Sequence, residues 1–366
     1  MTFGGYHNKV LRINLTTRSV SDQAYDEQFW RGCLGGAGFI AHILVTEIGA
    51  GVDALGPDNK LFFATGPLTG IPLSGTGGSA KSEAGGFWGA EFKRAGYDAL
   101  IVEGKADVPV YLLIQDDKVT IKEARHLWGK NTKETQETIR EELGDNKLQL
   151  AMIGPAGENL VHFSCIMHGL WSTAGRGGLG AVMGSKNLKA VAVRGTKKVP
   201  VANPDGIANV RQWLKDNWKI AAGLSVFGTG PATEAYEQHG NLPIRNHRDG
   251  IFPMAKDISA RALKEKMGHG MEGCFACVIR CKKVVEGEGI DIAYGGPEYE
   301  TLGSFGSDCG IGDLTVIVKA NQLCNAFSLD TITTGSAIAF AMECFENGLL
   351  TTKDTNDIEL RFGNGD

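Results

Sequence analysis

Apolar positions follow two rhythms along this chain, and the change falls near residue 200. Before it the rhythm is short and strand-like. Val10-Leu11-Arg12-Ile13-Asn14-Leu15 alternates ahead of a turn at Thr16-Thr17-Arg18-Ser19, the period-2 pattern of a half-buried strand. Leu61–Thr65 and Ala99–Glu103 are brief continuous apolar runs and predict buried strands. Val108–Ile114 and Val119–Ile121 flank Asp116-Asp117 and predict a hairpin. Leu148–Ile153 and Ala190–Val193 add further strands. Helical patterns are few here: a small-residue helix over Ala37–Ile48, and an exposed Glu/Lys/Thr-rich helix over Asn131–Leu143 that stops at Gly144.

After a linker at Val199–Pro204 the rhythm becomes helical. Arg211–Ala222 is amphipathic, Leu314–Phe327 is a helix, and Thr334–Glu346 is another, closed by Asn347-Gly348. The expectation is an α+β protein with a β-rich domain over 1–203 and a mainly helical domain over 204–366.

Composition narrows the class. The 366 residues suffice for about two domains, and 42% hydrophobic with 22% charged residues is ordinary for a globular protein. A net charge of −5 gives no basic field for nucleic acid. No apolar run approaches 18 residues and no apolar leader follows Met1, so a cytoplasmic protein without membrane spans is expected. Eight cysteines in a chain this long argue against a disulfide framework. Fifty-one residues are glycine, about twice the usual share of roughly 7%. Many stand in pairs within apolar segments, as Gly35-Gly36, Gly77-Gly78, Gly85-Gly86 and Gly177-Gly178, where backbone can approach a ligand closely.

Four stretches could carry chemistry. Cys274, Cys277 and Cys281 have the spacing C-x2-C-x3-C, and soft thiolates select zinc or an iron–sulfur cluster. Either wants four ligands; His269 nearby keeps a Cys3His zinc site open. Ser172–Lys186 is glycine-rich and contains Arg176, which suits phosphate; a tight strand connection reads equally well. Gly85-Gly86-Phe87-Trp88 could lie beneath a flat ligand, although Phe87 and Trp88 by themselves suggest core. Gly296-Pro297-Glu298-Tyr299-Glu300-Thr301 places two carboxylates beside an aromatic: a solvated pair by default, or a buried acid with a raised pKa near a metal. His162 and His168, flanking Cys165, read as structural.

Together these stretches resemble the tungsten-containing aldehyde ferredoxin oxidoreductase family. The resemblance is carried in order by Val10–Thr16, Ala64–Gly70, Gly85–Gly89, Ala95–Asp98, Gly154–Asn159, Gly180–Lys186, the three cysteines, Gly296–Glu300 and Leu323-Cys324-Asn325. It implies a first domain of two β-sheets forming a cofactor-binding base, with mainly helical domains following. It implies a tungsten (or molybdenum) bis-pterin, a Mg2+ bridging the pterin phosphates, and a [4Fe–4S] cluster. The implied reaction converts a small aldehyde plus water to a carboxylic acid, electrons leaving through the cluster to ferredoxin or another electron-transfer subunit. A homo-oligomer is compatible with it.

By motif, Cys274, Cys277 and Cys281 match the first three cluster ligands. Ala84 and Ala174 match carbonyl ligands of the Mg2+. Gly86, Thr173 and Arg176 match pterin contacts, and Glu300 matches the carboxylate near the metal. Asn325, Leu329 and Asp330 fall on a pterin-binding D-x-x-G-L-D segment. Departures are visible too. Asn325 replaces that segment's leading Asp, and its Gly is lost. Thr76 stands where the family has an arginine bridging pterin and cluster. A short stretch is missing between Ser82 and Gly85. The chain stops where the family continues, so the fourth cluster cysteine is expected in a further domain rather than at Cys309 or Cys324. Two alternatives follow: the tungsten subunit of an aromatic acyl-CoA reductase, or a truncated, non-catalytic cofactor-binding remnant.

Overall fold

The computed structural model describes residues 4–71 and 82–366; the loop bearing Thr76 lies outside these described residues. The chain divides into two compact units. One runs to Asn217 and includes Cys274–Val278 and Ala326–Leu329; the other comprises Trp218–Gly273, Ile279–Asn325 and Asp330–Asp366. The fold is α+β, with the two larger sheets in the first unit and mainly helices in the second.

The first unit holds two sheets. Their strands are β1 (Val10–Asn14), β2 (Ser19–Gln23), β3 (Leu61–Ala64), β4 (Ala99–Glu103), β5 (Val110–Gln115), β6 (Lys118–Glu123), β7 (Gln149–Met152), β8 (Ile166–His168), β9 (Ser172–Ala174) and β10 (Leu188–Arg194). One sheet has the order β2-β1-β4-β3 and the other β6-β5-β10-β7-β8-β9. The β1–β4 and β5–β10 pairs are parallel, and the other pairs with described register are antiparallel.

Side-chain alternation assembles this core. Leu11, Ile13, Leu100 and Val102 point into one cluster, which they share with Leu112 and Ile114 of β5 and Val191 and Val193 of β10. Their neighbours Val10, Ala99 and Ile101 point the other way, onto Trp30 and Phe39. Since β4 is covered on both faces, its sequence is continuously apolar rather than alternating. Each such large side chain contributes on the order of 1.5–3 kcal/mol by leaving water.

Local signals explain several helix ends. Thr132–Leu143 starts at a capping box between Asn131 and Glu134 and ends at Gly144 in the left-handed conformation. Two helices are not evident from apolar periodicity, Trp88–Arg94 and Leu179–Ser185. The second replaces the expected glycine loop. Its Gly180 and Gly184 lie four apart on one face, and a Cβ at Gly184 would overlap the Gly157 carbonyl. Missing side chains let this helix sit directly on the Gly154–Asn159 segment.

In the second unit the longest helices are Leu314–Phe327, whose end lies in the first unit, and Thr331–Glu346. The latter begins three residues before the expected Thr334, because the Asp330 side chain accepts from the Ile332 and Thr333 N–H groups. A small hairpin pairs β11 (Gly268–Glu272) with β12 (Lys282–Val285). Tyr299–Thr301 runs into a buried π-helical turn at Leu302–Ser307. Among the described residues no single helix is long and apolar enough to cross a membrane.

Candidate cofactor and metal site

The first unit brings together the Gly85-Gly86 segment, the β8–β9 hairpin, Cys274–Val278 and Ala326–Leu329. Trp88 is buried, and its Nε1 donates to the Val191 carbonyl at 2.9 Å, while its ring stacks on Phe92 at 5.1 Å. These contacts pin the helix after Gly85-Gly86 to β10. Phe87, expected in the core, is instead 42% exposed. Gly86 has φ +83, and a Cβ there would lie 3.1–3.2 Å from Ser172. Its carbonyl accepts the Phe275 N–H at 3.1 Å, which ties the glycine loop to the cysteine stretch. A narrow cleft between Thr69–Ile71, Gly86–Ala90 and Phe275 follows from this arrangement.

The other implied cofactor contacts in this unit lie on and around the β8–β9 hairpin. Ala84 and Ala174 are buried, and Thr173 is half-buried with its hydroxyl 3.4 Å from the Ile166 carbonyl. Arg176 is exposed, and its backbone N–H donates to Ser82 Oγ at 3.2 Å. Ser164 Oγ, Ser172 Oγ and His168 Nδ1 are buried with no partner among the described residues. Burial pushes the His168 pKa down to about 4, so its imidazole is neutral at physiological pH.

Residues Ala326–Leu329 join the same unit. Gly154 N–H donates to Ser328 Oγ at 2.7 Å, Cys165 N–H donates to the Ser328 carbonyl at 2.8 Å, and Leu329 bridges to Ser164. Ser328 takes φ +62 to make these contacts. Leu329 is thereby set beside the β8 lead-in. Asn325, in the second unit, donates its side-chain amide to the Tyr294 carbonyl at 3.0 Å, and Asp330 caps its helix. Both thus have a structural task, whatever ligand they meet.

Cys274, Cys277 and Cys281 are all half-buried. Cys277 N–H donates to the Cys274 carbonyl at 3.1 Å, and Ala276 and Arg280 adopt left-handed backbone, costly for non-glycine residues. Cys274 and Cys277 belong to the first unit and Cys281 to the second. Among the described residues no three Cys, His, Asp or Glu side chains gather closely enough to hold one metal ion. His269, the candidate fourth zinc ligand, pairs with Glu286 at 2.9 Å. Thiolates of an iron–sulfur cubane each bind a different iron and need not converge on one point. Cys309 is buried and donates to the Ser304 and Gly335 carbonyls, and burial pushes both its pKa and that of Cys324 up to about 12.

The Glu298/Glu300 pair splits. Glu300 is exposed. Glu298 is neither a solvated carboxylate nor an acid with a raised pKa. Burial alone would raise it, but Lys282 and Lys283 outweigh that and hold its pKa down to about 2. The sequence signal was present, since Lys282-Lys283 follows Cys281 directly, but which glutamate meets them is a matter of tertiary folding.

Comparison with known proteins adds independent findings. Residues 10–195 match the sequence model for the aldehyde ferredoxin oxidoreductase N-terminal domain, and residues 206–366 match that for domains 2 and 3. The chain is 42% identical to the tungsten-containing aldehyde ferredoxin oxidoreductase of Pyrococcus abyssi over 98% of this chain and 62% of that protein. It is 33% identical, with the same two coverages, to the aliphatic sulfonate oxidoreductase, WOR-like subunit, of Pyrococcus furiosus. It thus spans about 62% of the length of these relatives. Among solved structures it resembles a chain of the active site complex BamBC of benzoyl coenzyme A reductase in complex with 1,5 dienoyl-CoA. That match has a TM-score of 0.84 and 31% identity, covering 98% of this chain and 59% of that one.

Proposed function

The chain belongs to the aldehyde ferredoxin oxidoreductase family, and from that premise we propose that it carries the cofactor base of an enzyme oxidising an aldehyde with water to a carboxylic acid. The observation that carries the reading is the Phe275–Gly86 hydrogen bond, which ties the thiol stretch to the glycine loop within one unit. The buried, unpartnered Ser164, Ser172 and His168 atoms and the exposed Arg176 fit a polar, phosphate-bearing pterin. When bound, the tungsten (or molybdenum) bis-pterin supplies the two-electron oxidation and the [4Fe–4S] cluster relays the electrons.

Each residue then has a task. Cys274, Cys277 and Cys281 give thiolates to the cluster. The Ala84 and Ala174 carbonyls would hold the Mg2+, and Gly86, Thr173 and Arg176 would bind the pterins. Asn325, Leu329 and Asp330 orient the pterin edge. Glu300 takes the proton of the attacking water, a role open to an exposed carboxylate. The electron acceptor is ferredoxin or a partner subunit, in the cytoplasm, and the working domains are 1–203 and 204–366.

Anaerobic purification with metal analysis tests this reading. Tungsten or molybdenum with about four irons per chain is expected of a [4Fe–4S] centre beside a pterin metal; zinc alone would overturn it. The resemblance to the benzoyl coenzyme A reductase complex favours a second reading, reduction of an aromatic acyl-CoA. Turnover of a benzoyl thioester but of no aldehyde would select it.

A further inference from the structure

Three segments of the second unit close on one carboxylate. Glu298 Oε1 accepts from Lys282 Nζ at 3.0 Å, and Oε2 accepts from Lys283 Nζ at 3.0 Å and from the Thr229 hydroxyl. Thr229 Oγ1 in turn accepts the Tyr299 N–H at 2.9 Å, and the Lys283 carbonyl accepts the Gly296 N–H at 2.8 Å. Lys283 is 6% exposed and Lys282 24%. The cage abuts Cys281: a Cβ on Gly228, whose φ is +65, would lie 2.6 Å from the Cys281 carbonyl and 2.8 Å from Lys283 Nζ. The two lysines follow Cys281 directly in sequence, and the cage packs through Gly228, next to Thr229, against the Cys281 carbonyl.

We propose that Glu298 is a positioning residue for the iron–sulfur cluster: it fixes the backbone of Cys281 and sets how much of the Lys282 and Lys283 charge reaches the cluster. The inference rests on the reading of Cys274, Cys277 and Cys281 as cluster ligands. Its physics is simple. Adding an electron to a thiolate-ligated cluster adds negative charge, which nearby cations favour and a nearby anion opposes. Glu298 cancels one of two cations at hydrogen-bond distance. The cage also joins Cys281 to the segment ending in Glu300, because Glu298 lies two residues before it. A carboxylate serving packing alone would give stability without touching the potential.

The test measures the cluster's reduction potential by an EPR-monitored titration of the full chain, with iron content and thermal unfolding alongside. Glu298→Gln keeps the shape but removes the anion, so a shift to higher potential is expected. Glu298→Asp keeps the charge with a shorter reach and should return the potential towards wild type while unfolding at lower temperature. Lys282→Met, at the more open side of the cage, should shift the potential downward, and it carries the test if Glu298→Gln fails to fold. Wild-type potential in Glu298→Gln, or in Lys282→Met where Glu298→Gln does not fold, overturns the inference and leaves the cluster reading standing. A wild-type chain that binds no iron overturns both.

Discussion

Two buried lysine–carboxylate pairs, one in each unit, serve different ends. Lys93 and Asp98 are both fully buried, and Asp98 also accepts the His7 and Lys9 N–H groups at 3.0 and 3.1 Å. The pair clamps a helix end, a strand lead-in and the N-terminal segment, and among the described residues no implied cofactor ligand bonds to it. Lys283 and Glu298 are less completely sealed. Glu298 keeps 29% exposure, shares a second lysine, and sits against the segment of Cys281. Burial alone marks both pairs. What separates a structural clamp from a candidate site is which neighbours the pair touches.

The comparison can be broken in several ways. Asp98→Asn should have the largest effect, because Lys93 would be left buried without its counter-charge; a loss of ~3–5 kcal/mol is expected from urea unfolding of the first unit. Acid should act on the other pair. The pKa of Glu298 is depressed in the folded chain, so its contribution is present above the ordinary glutamate range and is lost as pH falls toward about 2. That contribution is at most ~3 kcal/mol, and the stability of Glu298→Gln should be flatter with pH between about 5 and 2.

Backbone sharpens the contrast at smaller cost. Gly228→Ala forces a left-handed backbone and a collision with the Cys281 carbonyl, and should cost about 2 kcal/mol or more. Gly177→Ala has φ +92 but open space, so only about 1–2 kcal/mol of backbone strain is expected in thermal melts. Smallest in stability terms is a labelling difference. In apo protein at pH 8, Cys274, Cys277 and Cys281 should alkylate readily, while Cys309 and Cys324, buried and pushed up to about 12, should lag.

Much of the fold is legible in the sequence where the signal is local. The Asn131–Gly144 capping signals and the alternation in β1 need only near neighbours, and both match the structure. Leu179–Ser185 was hidden because its glycines have low helix propensity and are favoured only by close contacts, Gly180 with the Cys165 backbone and Gly184 with Gly157. The order of motifs likewise announced the family, because each motif is a short contiguous string.

What the sequence by itself determined is therefore the α+β class, the family, and the identity of the three thiols. Only the tertiary structure decided which of two neighbouring glutamates is caged and which is exposed, and that Ser328 closes onto Gly154 and Cys165. The reason is the range of the interactions. Capping and periodicity act over a few residues, whereas the Glu298 cage and the Ser328 bonds join segments 69 and 174 residues apart, whose meeting no local pattern encodes.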